Sequence, residues 1–368
     1  MMNLFKKKEK FLLLDVSPKK ISGILISLDD RKKIRKEKSW DNLEKMRSSR
    51  GQTFIPGVSR IIAACDPELA FKIFVPLVME REEISEAIGK VELENLIAQA
   101  VSKIFNHYRR EASMILGVDE LDTILADSNV SDFEVDGHKV INPLGFKPKE
   151  VRAVIEMAFT ARKTFERVKA IKKNGEFFFT EKGQAQASAT KRSGAKRADF
   201  LKIGASKSYF YPGKHSEEFY RRSEIEWSVN DIISEICGSW SLGENAARAI
   251  YDYYIKEDVS RPVERHLSKI FSKPVKTLAT HVKKVKTGGK VRVAGAVPAN
   301  LLGQDKFQEI DFDDFSVKSG FSFDEAEFGS GKQAFRQLAP FFEFYYDNSD
   351  NEINGWLKRR LSWLGSAV

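Results

Sequence analysis

Cysteine and histidine are scarce in this chain, and each scarcity closes a route to function. Cys65 and Cys237 are the only cysteines and stand far apart, which excludes a disulfide framework and a cysteine-based zinc site. The five histidines are scattered, and no two have metal-ligand spacing. Long apolar runs are missing too. Residues 11–14 follow a lysine cluster but are far too short for a signal-peptide core, and no stretch reaches transmembrane length. These absences favour a reducing cytoplasm and a protein that touches a membrane only from the side.

What is present indicates a folded protein of several parts. At 368 residues, with 42% hydrophobic and 31% charged residues, the chain exceeds one hydrophobic core and is too apolar to be disordered, so two or more compact units are expected. The net charge of +9 comes from basic clusters at 6–10, 31–38, 191–197 and 283–290, with 52 acidic residues interspersed. None of the clusters carries a nucleic-acid-binding signature, so no nucleic-acid partner is expected. Solvated faces or an anionic bilayer account for the sign.

Apolar runs at 11–14 and 21–28 around Ser17-Pro18-Lys19-Lys20 predict a strand–turn–strand hairpin, and 61–64 and 71–77 predict further strands. Residues 90–110 give the clearest helix, with Leu93, Leu96, Ile97, Ala100, Val101, Ile104, Phe105 and Tyr108 on one face. Strands at 121–126, 132–136 and 151–158 follow, so 71–164 reads as a small α+β unit. A helix over 162–173, a strand at 177–180, and an Ala/Ser/Lys-rich mobile connection over 184–197 come next. A second hairpin is predicted at 199–203 and 208–211, then helices at 230–239, 244–256 and 261–285, a strand at 291–294 ending at Gly295, and a last helix over 332–346. The acidic, Phe-rich stretch 306–327 shows no clear period.

The final segment carries the sharpest functional signal. Beyond a polar spacer at 347–351, the helix 352–368 gathers Ile353, Trp356, Leu357, Leu361, Trp363 and Leu364 on one side, with Lys358, Arg359 and Arg360 as cations. Arg360 falls inside the apolar arc and has to snorkel its head outward. A closing helix packed on its own domain is one use of such a pattern. The spacer and the tryptophan-plus-basic composition favour the other, a helix lying in an anionic lipid interface.

Two hairpins, each opening one half, and a late strand ending in glycine resemble the plan of the actin-like (ribonuclease H-like) two-lobed α/β fold. The unit at 71–164, with its helix KVELENLIAQAVSKIF and the stretch FEVDGHKVINPLGF, resembles the inserted 1C subdomain of the bacterial cell-division protein FtsA. The terminal GWLKRRLSWLG resembles the membrane-targeting helix of that family. The resemblance implies a first lobe at 1–70 and 165–197, a second at 198–346 with 286–346 as its returning segment, and a chain trimmed around 29–60 and 258–290. It places a nucleotide between turns holding Asp15, Ser17 and Lys20 in one half and Gly204, Ser206, Gly295 and Ala296 in the other.

Departures from the family pattern argue against chemistry there. Ser17 stands where a glycine lets backbone approach phosphate, and Pro18 removes an N–H donor. Lys202 replaces a carboxylate expected near magnesium. Ala247 and Ile250 occupy the places of an acid and a lysine that reach the nucleoside, and Ala296 replaces the partner of Gly295. Together they imply weak or lost ATP binding, lost hydrolysis and no required cofactor or metal.

The resemblance therefore implies a peripheral, catalytically silent scaffold on the cytoplasmic face of the membrane. It would polymerise or bind other division proteins through the unit at 71–164, and capture the tail of the tubulin-like FtsZ through Arg248, Arg261, Arg265, Lys269 and Lys273. Two rivals stand beside it. One is a PilM-like pilus-assembly adaptor, which the membrane helix disfavours; the other is a working actin-like ATPase or kinase.

Overall fold

The computed structural model describes residues 8–46, 55, 57–58, 60–81, 84–172, 175–192, 198–213, 220–256, 258–285, 290–295, 307–309, 320–329, 331–347 and 352–364. In chain order they form β1 (Glu9–Val16), β2 (Ile21–Leu28), β3 (Lys33–Trp40), β4 (Arg60–Cys65), β5 (Ala70–Glu80), α1 (Lys90–Leu116), β6 (Thr123–Val135), β7 (His138–Lys139), β8 (Glu150–Ala161), α2 (Arg162–Lys169), β9 (Glu176–Glu181) and α3 (Lys182–Arg192). There follow β10 (Asp199–Lys202), β11 (Ser208–Tyr211), β12 (Tyr220–Arg221), β13 (Ser223–Ile225), α4 (Val229–Trp240), α5 (Glu244–Ile255), α6 (Arg261–Val285), β14 (Val291–Ala294), β15 (Phe307–Glu309) and β16 (Ser322–Phe323). Three helices close the chain: α7 (Glu325–Phe328), α8 (Gly331–Asp347) and α9 (Glu352–Leu364).

Two compact units result: Met1–Ala189 with Ser216–Arg221 and Gly320–Val368, and Thr190–His215 with Arg222–Ser319. In the first, one sheet runs β16-β3-β2-β1-β4-β9, with β2 antiparallel to β1 and β3, and β1, β4 and β9 parallel. In the second, β13-β11-β10-β14-β15 repeats the order and sense of β3-β2-β1-β4-β9 at every step. One antiparallel strand beside the first, then two parallel ones, is the ribonuclease H-like arrangement. Its appearance in both units makes this the expected actin-like α/β fold. Central strands such as β1 and β4 read as near-continuous apolar runs because parallel strands of this kind are covered on both faces.

The inserted α+β subdomain forms a third sheet, β12-β5-β8-β6-β7, backed by α1. Leu93, Ile97, Ala100 and Val101 face the sheet at helical spacing, and Phe105 stacks on Phe159 with centroids 6.0 Å apart. Gly117 ends α1 in the left-handed conformation that glycine adopts without strain. A buried ionic cluster ties this subdomain to the first sheet. Lys72 on β5 contacts Glu156 on β8 at 2.8 Å and Glu343 on α8 at 2.9 Å, while the Thr180 hydroxyl on β9 donates to Glu343 at 2.5 Å.

Several expectations are corrected. The strands expected at 121–126 and 132–136 are one strand, β6, irregular between Leu125 and Asp127 and again between Ser131 and Glu134, so its alternation is broken. The Ala/Ser-rich stretch at 184–197, expected as a mobile connection, is helix α3 through Arg192. Ala185, Ala187 and Ala189 are buried, because small side chains let a helix pack closely. Residues 193–197 lie outside the described set. The assignment of 320–346 to the second lobe fails: α8 packs on the first sheet, with Phe341 edge-on to Phe11 at 5.1 Å and Phe344 edge-on to Phe178 at 5.3 Å.

Candidate functional site

The first hairpin closes on itself. Ser17 N–H donates to the Lys20 carbonyl at 3.0 Å, the Ser17 hydroxyl donates to the same carbonyl at 2.9 Å, and Lys20 N–H donates back to that hydroxyl at 3.2 Å. The N–H groups of Ser17 and Lys20 are thus used within the turn, and Pro18 has none to offer. The Lys20 ammonium, expected near phosphate, pairs with Asp41. Arg167 braces the turn from behind, donating to the Ser17 carbonyl at 3.3 Å and to both oxygens of Glu44 at 3.0 and 3.1 Å.

A residue the sequence reading passed over dominates the local charge. Lys182, directly after β9, sends its ammonium between Asp15 at the end of β1, which it contacts, and Asp66 just past β4, at 2.9 Å. All three positions lie at the carboxyl ends of parallel strands, where folds of this kind place their ligands. That placement is the signal that could have found Lys182. Burial pulls the Lys182 ammonium toward the neutral form, but Asp15 and Asp66 together outweigh it and hold its pKa above the ordinary lysine value. Nearby, burial pushes the Cys65 thiol up to about 12, so it is no nucleophile at neutral pH. An ammonium between the two carboxylates, over a turn whose Ser17 and Lys20 N–H groups are already bonded, does not fit a magnesium–phosphate group.

In the second unit, the other hairpin turn is fixed to the start of α4. Gly204 and Ala205 carbonyls accept from Val229 and Asn230 N–H at 3.0 and 3.1 Å. Gly204 is required there, since a Cβ would lie 2.2 Å from the Lys207 carbonyl oxygen. Gly295 is required by close approach to Ile203, whose Cβ would be 2.6 Å from an added methyl. The Lys207 ammonium is paired with Glu224 at 2.7 Å, and Lys202 is half-buried. Ser206 is exposed in the turn, while Ala296 lies outside the described residues. Ala247 is fully buried in the core and Ile250 packs against it, so neither position presents a side chain to a nucleoside.

The expectation that the terminal helix offers its apolar side to lipid is corrected. Ile353 and Leu357 are 5% and 2% exposed, sunk into the core of the inserted subdomain, and Trp356 packs partly against it. Between them the Asn354 side chain accepts from Val130 N–H at 2.8 Å and donates to Val130 C=O at 3.2 Å, giving β6 the pairing a further strand would give. Lys358 is half-buried, with its ammonium over the Phe178 and Phe344 rings at 5.1 and 5.9 Å. Arg359 is exposed; the Arg360 guanidinium lies 5.6 Å over Trp356 instead of reaching from an apolar arc. The side chains of Leu361, Trp363 and Leu364 lie outside the described residues. Asn354 joins Ile353 and Leu357 on the buried side because the β6 edge offers unmet backbone groups that lipid cannot satisfy. Among the described residues no helix is long and apolar enough to cross a membrane.

Of the expected partner residues, Arg248 is engaged by Glu244 at 2.8 Å and Asn230 at 3.0 Å. Arg261, Arg265 and Lys269 are exposed along α6, and Lys273 pairs with Glu235 at 2.7 Å.

Neither a protein-family model nor a curated protein matches the chain. Among solved structures it is similar to a chain of a PilM-PilN type IV pilus biogenesis complex, with 14% identity, a TM-score of 0.42, and 97% of this chain and 99% of that one covered. It is also similar to the ethanolamine utilization protein EutJ from Carboxydothermus hydrogenoformans, with 12% identity, a TM-score of 0.33 and 92% of both chains covered. A glucokinase from Balamuthia mandrillaris in complex with glucose gives 7% identity and a TM-score of 0.34 over 92% of this chain and 95% of that one. The repeated strand order carries the fold assignment; likenesses this distant add no argument about activity.

Proposed function

We propose that this protein is an actin-like assembly scaffold that has given up nucleotide hydrolysis. The observation that supports it best is the Lys182 ammonium between Asp15 and Asp66, at the strand ends where a cation would otherwise stand. The self-closed first turn and the positive charge of Lys202 favour the same reading. The function then rests on surfaces, chief among them the inserted subdomain.

Between a division scaffold and a pilus-type adaptor, a lipid-binding terminal helix favours the first. With Ile353 and Leu357 buried, that preference falls away and a pilus-type adaptor, engaging a segment of a membrane partner, becomes the better reading. The test has two arms. Calorimetric titration with ATP and magnesium is expected to give no micromolar binding, and a phosphate-release assay no turnover; micromolar affinity with release restores the ATPase. Pull-downs with an FtsZ tail peptide and with a PilN-type cytoplasmic peptide, each against its scrambled form, decide the partner. Enrichment by the FtsZ tail alone returns the division scaffold.

A further inference from the structure

Helix α6 carries a one-sided basic stripe that neither the fold nor the nucleotide reading uses. Seven exposed cations, Arg261, Arg265, Lys269, Lys273, Lys276, Lys283 and Lys284, fall within an arc of about 140° when wound at 3.6 residues per turn. They extend over roughly 34 Å at 1.5 Å per residue. Leu267, Phe271, Val275, Leu278 and Val282 occupy the opposite side and lock the helix onto the core of the second unit. The orientation of the stripe is therefore fixed by packing. Glu264 is the one acid on the helix and lies outside the arc. Among the described residues, Lys273 is the stripe member paired to an acid, Glu235.

We infer that this stripe binds the headgroup plane of an anionic bilayer. A ridge with its charges within one arc on either side of Pro274 lies along a plane, and laterally mobile headgroups collect beneath the cations. A helix seated in a duplex groove meets phosphates on both rims and needs cations on both flanks, which this arc does not supply. Asn and Gln, which read bases, are missing from the arc, and the one exposed ring at its margin, His266, is already stacked on Trp240. A convex ridge also has no pocket for the apolar side chains of a peptide. No apolar wedge projects from the stripe, so binding is electrostatic and superficial, with steep salt dependence.

The test is co-sedimentation of the full chain with vesicles of equimolar phosphatidylcholine and phosphatidylglycerol, against phosphatidylcholine alone. Each cation near such a surface contributes about fivefold in partitioning, so Arg265→Glu, Lys269→Glu and Lys276→Glu together, which also add three negative charges, are expected to weaken binding by at least about a hundredfold. A control with Arg359→Glu and Arg360→Glu on α9 is expected to keep binding near the unmodified level, and circular dichroism melts verify that both variants are folded. Absence of binding to anionic vesicles at low salt overturns the inference. So does loss on the α9 control with retention on the α6 variant, or tighter α6-dependent binding of a random DNA duplex than of vesicles. Because ATP titration does not report on α6, failure here leaves the scaffold reading standing.

Discussion

Replacing Asn354 with alanine removes the side chain that serves both backbone groups of Val130, which lie buried under α9. A buried N–H left without a partner costs about 1–3 kcal/mol, and with the carbonyl included the local loss is about 2–4 kcal/mol. That converts to a roughly thirty- to several-hundred-fold faster opening of this edge of β6. Hydrogen–deuterium exchange on a peptide covering 124–131 reads it directly. Leu357→Ala, at a site 2% exposed, removes core contacts from the same helix and is expected to cost about 2–5 kcal/mol. The two losses do not add: once α9 lets go, the second substitution has nothing left to break, so the double variant levels off at the docking free energy. Arg265→Ala, exposed on α6 in the other unit, is the control and leaves exchange unchanged. If Asn354→Ala and Leu357→Ala both leave the β6 peptide protected to within about twofold, corresponding to under 0.5 kcal/mol, α9 is not docked and the reasoning fails.

Lys72→Met leaves Glu156 and Glu343 facing each other inside the protein and is expected to destabilise by about 3–5 kcal/mol in urea unfolding, since removing one partner strands buried charge; an unchanged midpoint would refute the network's role. For Asp127, burial raises the carboxyl pKa above the ordinary value, opposed by Lys358. The folded state therefore holds that proton longer than the unfolded chain, and stability falls as pH rises from about 4 through the raised folded value. Urea midpoints of the unmodified protein and Asp127→Asn, compared across that range, are expected to show a flatter slope in the variant, and equal slopes would contradict it.

The sheets were legible where burial is complete. The runs at 11–14, 21–28 and 61–64 are apolar because both faces of those strands are covered, so their residues leave little choice of structure. β3 was not legible. Its sequence, KIRKEKSW, is charged because it lies near the sheet margin, where solvated lysines also deter pairing with foreign strands. α3 was hidden for the opposite reason, since alanine and serine look like linker until their burial is known. For α9 the period was right and the destination wrong. Hydrophobicity picked out Ile353 and Leu357 but not Asn354, a polar residue buried with them whose value depends on an unmet strand edge far away in sequence. The candidate site was half legible: the departures at Ser17 and Pro18 can be read in order, whereas Lys182 acquires meaning only when three strand ends come together.

The position of Lys182 has a further consequence. A metal ion at such a place comes and goes with its concentration in the surroundings, but a covalently tethered ammonium is present at an effective concentration that no change in ambient magnesium can alter. The charge balance at those strand ends is therefore set at synthesis.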